Sequence, residues 1–161
     1  MLAAPILMLL CVILEAGLVT LSQQTLDVSV DRAVRQLRTG GFQDAADGSD
    51  PVARLRKVMC GGSVVLFRCD SLRLDMTRAP SFTTSQVTPP YDAQKQTWNS
   101  GFGTHFDCPQ GNDVVALSGA AAVPRLFGFL DSTKRRMVDG SQLMVSTFVF
   151  RTEAYTGKGC R

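Results

Sequence analysis

This chain of 161 residues lacks most of the sequence features that mark an enzyme or a metal site. It has one histidine, His105, and none of its cysteines form a C-x-x-C pair. Sites with four protein ligands usually show such paired spacing. G-x-S-x-G and H-E-x-x-H are also absent, and Gly101-x-Gly103 has neither the third glycine nor the following helix that phosphate binding needs. The sequence therefore predicts no catalytic residue, no metal and no cofactor.

Basic residues are missing from the start of the chain, where none precedes Arg32. A secretory signal peptide would carry basic residues before its apolar core and a small-x-small cleavage site after it, and residues 20–24 are a poor site of that kind. Residues 1–21 are instead apolar with a single acid, which is about the length that spans a bilayer as a helix. They are predicted to be a transmembrane anchor.

The helix is predicted to continue beyond the membrane to about residue 39. Residues 23–37 contain no glycine or proline, and Gly40 and Gly41 supply a helix C-terminus. Apolar residues recur at three- and four-residue steps, which indicates an amphipathic helix with one apolar stripe. The stripe consists of Leu26, Val30, Ala33, Val34 and Leu37.

Glu15 is an ionisable residue inside the predicted span. Such a group costs about 2.5 kcal/mol or more at mid-membrane, so it usually faces a partner, a polar cavity or the interface. Two interpretations follow. Glu15 is either a protonated or snorkelling acid, or it contacts a cationic group on a neighbouring anchor helix.

Four of the five cysteines lie in residues 22–161 and favour an oxidising compartment. Two disulfides are the preferred interpretation, with free or metal-bound thiols as the alternative. Cys60 ends a predicted helix that starts at Asp50-Pro51, and Cys69 precedes a predicted strand, so we expect these two to pair. Cys108 and Cys160 are then left to form the second bridge. The fifth, Cys11, is predicted to be an apolar filler in the anchor.

The rest of the chain predicts one α+β domain, residues 22–161, with an antiparallel sheet packed on the outer half of the first helix. Strands are expected at 72–78, 113–119 and 142–151 because of alternation or β-branched and aromatic content. The stripe is expected to bury against Leu74, Val145 and Val149. Residues 42–47 are predicted to be a loop, residues 81–112 a long loop or weak hairpin, and residues 123–130 an apolar segment of uncertain form. Basic residues are scattered, which predicts no nucleic-acid partner.

Three stretches together resemble the TadE/TadG-like proteins of tight-adherence pilus assembly, which are pseudopilin-like. The first has Ala-Pro (4–5), Glu-x-Gly (15–17), Gln-Gln-x-Leu (23–26) and Ala-x-Arg-x-x-Arg-Thr-Gly (33–40). The second is Cys60 followed by Cys-Asp-Ser-Leu-Arg-Leu-Asp (69–75), and the third is 140–155, ending in Arg-x-Glu-x-Tyr. Residues 116–119 depart from the pattern, since the family more often has an Arg and a Tyr after that strand.

The resemblance implies a pilin-like protein of the inner membrane, single-pass, with its C-terminal domain in the periplasm. It would act as a pseudopilin-like or minor pilin component in assembly of a type IVb-like pilus, by binding other pilus subunits through the N-terminal helix. The alternatives are a membrane-anchored periplasmic enzyme that uses Cys108 or His105, and a ligand-binding module that uses the loop at 81–112.

We also expect that Met1 is not the natural start of the protein. Without a basic residue before the span, nothing fixes the N-terminus inside, and Arg32, Arg35 and Arg38 alone would favour the inverted topology. A short basic leader upstream, which the resemblance implies, would remove this conflict with the cysteines. Mass spectrometry of the protein from its native membrane tests the expectation. An N-terminal peptide beginning at Met1 or Leu2 would contradict it.

Overall fold

A computed structural model describes residues 3–61, 64–127, 135–156 and 159–160 of the chain. It has the predicted α+β arrangement of one long helix on a small antiparallel sheet. The helices are α1 (Ala3–Thr39), α2 (Gly41–Asp44) and α3 (Pro51–Cys60). The strands are β1 (Arg73–Ala79), β2 (Tyr91–Asp92), β3 (Thr97–Trp98), β4 (Val114–Val123) and β5 (Gln142–Arg151).

The main sheet has three antiparallel strands in the order β1-β4-β5, so β4 is central. Val123 pairs with Gln142 at one end of the sheet, and Val114 pairs with Ala79 and Arg151 at the other. The burial pattern follows this position, since nine of the ten residues of β4 are buried. The strands predicted at 72–78 and 142–151 are confirmed, and the strand predicted at 113–119 is longer than expected.

The outer half of α1 packs its apolar stripe on one face of this sheet. All five stripe residues are buried, and they share a core with Leu74, Met76, Val115, Leu117 and Ala121. The helix lies close to the sheet at Gly119, where a Cβ atom would lie 3.0 Å from Cγ2 of Val30. The missing side chain therefore lets α1 lie close to β4. Leu55 and Met59 of α3 complete the core.

The prediction of which β5 side chains face α1 was wrong by one position. Met144, Phe148 and Phe150 pack on the α1 side, whereas Val145 lies on the opposite face with Leu143, and Val149 is exposed. Successive side chains of a strand point to opposite faces, so a shift of one residue exchanges the whole set. The sequence of β5 is apolar at both odd and even positions, and its alternation therefore does not identify the inner face. Leu74, by contrast, lies in the core as predicted.

The segment 81–112 forms a second layer on the far face of the sheet. Its β2–β3 hairpin places Trp98 close to Phe102, and Phe102 packs with Ala120, Met137 and Leu143. The Arg73 guanidinium stacks over the Trp98 ring, 4.5 Å from its centroid. Further along, the backbone around His105 and Asp107 hydrogen-bonds to Met76 at the outer edge of β1. This segment is a structural layer, which sequence reasoning did not resolve.

The residues at the ends of the helices explain where each helix begins or ends. Gly40 follows the last residue of α1 with a left-handed φ of 81°, a conformation that glycine adopts without steric cost. The Asp50 side chain accepts a hydrogen bond from the Ala53 N–H at 2.9 Å and caps α3 as predicted. The loop predicted at 42–47 is partly wrong, because residues 41–44 form the short helix α2. Of the apolar segment 123–130, residues 128–130 lie outside the described residues.

The contact between α1 and β4 can be tested with two changes on the same helix. Val30→Asp would bury a charge against Gly119 without a partner, and such a charge is strongly unfavourable. Val28→Asp places the same charge at a side chain that is 56% exposed. We expect the first variant to lower the melting temperature by at least about 10 °C and the second to change it little. Equal melting temperatures in circular dichroism would contradict this packing.

Candidate functional site

The N-terminal half of α1 is an apolar surface that the domain does not cover. The helix is long and apolar enough to cross a membrane. Large apolar side chains are exposed along it, namely Ile6, Leu7, Met8, Leu9, Leu10, Ile13, Leu14, Leu18 and Leu21. An apolar face of this extent on a helix of this length fits single-pass membrane anchoring.

Glu15 interrupts this surface, and the structure pairs it with Arg125. The Nε atom of Arg125 lies 2.9 Å from Oε1 of Glu15, and the two side chains are only 5% and 4% exposed. The Phe127 backbone N–H also donates to this oxygen, at 3.4 Å. The second carboxylate oxygen accepts no hydrogen bond within the described part of the chain. A buried charge needs such a partner, because an isolated one is costly in a medium of low dielectric constant.

Arg125 reaches α1 because the chain leaves the sheet directly after β4. Val123 ends the strand and Pro124, which has no N–H to donate to a ladder, follows it. The predicted cation for Glu15 was on a neighbouring anchor helix, whereas this structure shows a cation of the same chain. A contact with another helix stays a prediction. The sequence signal for Arg125 was a lone arginine in the apolar segment 123–130, which sequence reasoning did not connect with the lone acid at position 15.

Both disulfides have the predicted connectivity. Cys60 at the end of α3 is bonded to Cys69, with 6.3 Å between their Cα atoms, and Cys108 is bonded to Cys160, with 5.7 Å. The first bridge ties α3 to the chain just before β1. The second ties residue 160 to the segment that covers the edge of β1. Cys11 is a free thiol on α1.

His105 lies beside a buried aspartate. Its Nδ1 atom is 3.4 Å from Oδ1 of Asp75, and this oxygen accepts hydrogen bonds from the backbone N–H groups of Gly103 and His105 at 3.1 and 3.2 Å. Asp75 therefore holds the loop 103–105 against β1. In the described residues, no three His, Cys, Asp or Glu side chains group in a way that could hold a metal ion.

A second contact joins the domain to α1 at the end distant from the anchor. The Tyr155 hydroxyl accepts a hydrogen bond from Gln43 Nε2 at 2.9 Å and donates one to the Leu37 carbonyl at 3.3 Å. Its ring packs on Gly40, and the Glu153 N–H donates to the Arg38 carbonyl at 2.9 Å. Burial raises the pKa of the Tyr155 hydroxyl above its ordinary value. This tyrosine ends the Arg-x-Glu-x-Tyr stretch at residues 151–155.

Comparisons of the chain with protein-family models, with curated proteins and with solved structures give no match. The resemblance to the TadE/TadG-like proteins therefore stays a prediction.

The ion pair can be tested by removing each charge separately and then both together. Glu15→Gln or Arg125→Gln removes the counter-charge from a buried ionised group, so each should destabilise the protein by about 3–5 kcal/mol. The double variant should recover most of this loss. As a control, Arg35→Gln breaks the exposed pair of Arg35 with Asp31, which should cost less than about 1 kcal/mol. Thermal unfolding in detergent gives the comparison. Additive losses in the double variant would mean that the two charges are not coupled.

Proposed function

We propose that the protein is a pseudopilin-like or minor pilin component in the assembly of a tight-adherence, type IVb-like pilus. It is anchored in the inner membrane by α1 and carries its C-terminal domain in the periplasm. It acts by binding other pilus-assembly subunits through the N-terminal half of this helix. It needs no cofactor for this role and takes no nucleic acid as a partner.

The observation that carries the proposal is the division of α1 into two unlike halves. The outer half is committed to the domain, where its stripe packs on the sheet. The inner half leaves its apolar side chains exposed. An apolar face that the domain does not use is available to lipid and to other membrane helices, and such a helix can therefore both anchor a subunit and join it to others.

Two further observations support the compartment and the mode of action. Four cysteines form two disulfides, and disulfides persist in oxidising compartments such as the periplasm. A bonded Cys108 has no thiolate with which to attack a substrate. This favours binding over a periplasmic enzyme that uses Cys108 as its nucleophile.

Site-specific photo-crosslinking in the cells that make the protein tests the proposed role. A photoreactive residue at Leu14 or Leu18, both exposed on α1, should crosslink to another pilus-assembly subunit. The same residue at Leu26, buried on the same helix, should give no crosslink between chains and is the matched control. Deletion of the gene should abolish surface pili, and the wild-type gene should restore them.

Normal pili in the deletion strain would overturn the proposal. Thiol titration of the non-reduced, denatured protein addresses the alternative. Only Cys11 should react, whereas additional reactive thiols at Cys108 and Cys160 would favour the enzyme.

A further inference from the structure

We propose that the segment 124–127, directly after β4, enters the lipid bilayer beside α1 and places Leu126 among the acyl chains. The domain would then touch the membrane at a second point besides its anchor helix. This inference rests on the membrane span and not on the role in pilus assembly.

The depth of Leu126 is fixed by its two neighbours in sequence. The side chain of Arg125 and the backbone N–H of Phe127 both bond to the same carboxylate oxygen of Glu15. Leu126 lies between them in the chain and therefore lies close to the level of Glu15 along α1. These two hydrogen bonds hold residues 125–127 against α1.

That level lies within the apolar part of the helix. Glu15 is about 9 Å below Leu21, the last residue of the apolar run, at 1.5 Å per residue. A headgroup layer is about 5–8 Å thick on each side of the hydrocarbon. Even with Leu21 at the outer rim of that layer, Glu15 and Leu126 would therefore reach the acyl chains.

The chemistry of the segment suits this depth. Leu126 is an apolar side chain that is 67% exposed. Its neighbour Arg125 is the charge that would oppose insertion, and Glu15 neutralises it within the fold. Burial in lipid removes the exposed leucine from water, and the pairing avoids the cost of an isolated charge at the same depth.

A basic side chain lies above the level of Glu15, next to the same helix. Arg135 is exposed and lines a groove with Val19, Thr20, Gln23 and Gln142. This groove meets α1 about 6–12 Å above Glu15, at the outer end of the apolar run. A cation at this height faces lipid phosphates, while Leu126 below it faces acyl chains. Lipid is the occupant that meets both requirements and continues the surface of the anchor.

Photolabelling of the wild-type protein is the first test. The full chain is reconstituted in phosphatidylcholine–phosphatidylglycerol vesicles that contain a phospholipid with a diazirine in its acyl chain. After illumination and trypsin digestion, lipid adducts are expected on Leu126, which trypsin exposes by cleavage after Arg125. Adducts on Leu9 or Leu14 are the internal positive control, and Phe82, exposed at the opposite end of the sheet, should carry none.

A second test uses tryptophan fluorescence in a Trp98→Phe background. Brominated acyl chains should quench the tryptophan fluorescence of the Leu126→Trp variant, whereas the fluorescence of the Phe82→Trp variant should be unchanged. Adding Glu15→Gln to the Leu126→Trp variant should reduce this quenching, because Arg125 then keeps its charge while the carboxylate that neutralises it is gone. The proposal is overturned if Leu126 stays unlabelled while Leu14 is labelled. It is also overturned if the fluorescence of the Leu126→Trp and Phe82→Trp variants is quenched equally.

Discussion

The fit of the α1 stripe onto one face of the three-stranded sheet holds this protein together. Val30 meets β4 at Gly119, where the sheet has no side chain to keep α1 away. This close approach lets the stripe reach Leu74 and Met76 of β1 and Phe148 of β5 across the sheet. Because the helix that packs on the sheet also carries the apolar stretch long enough to cross a membrane, the position of the strands relative to that stretch follows from this packing.

The elements that sequence reasoning found are those with a strong local signal. The 3.6-residue period and the absence of glycine and proline in residues 23–37 predict the outer half of α1, and the structure confirms it. Asp50 with Pro51 marks the start of α3. The disulfides could be predicted because a helix end and a strand start bring Cys60 close to Cys69, which leaves one further pair.

The features it missed depend on contacts between distant parts of the chain. Glu15 and Arg125 are each a lone charge in an apolar run, and only the path of the chain after β4 brings them together. The inner face of β5 is ambiguous because both of its faces are apolar, one toward α1 and one toward the hairpin layer. The hairpin layer is held by the side chains of Trp98 and Phe102, which are not part of a periodic pattern in the sequence. Local periodicity carries no information about such a partner.

The two attachments of α1 have a mechanical consequence. Arg125 holds Glu15 near the base of the domain, and Tyr155 holds Leu37 and Gly40 at its far end. Contacts at two distant points, with packing between them, prevent α1 from rotating relative to the sheet. A pulling force on the sheet would therefore be transmitted along the axis of α1 to its apolar N-terminal half. The disulfide at Cys108 and Cys160 lies beside the far attachment in sequence and would keep the last strand from peeling away under such a load.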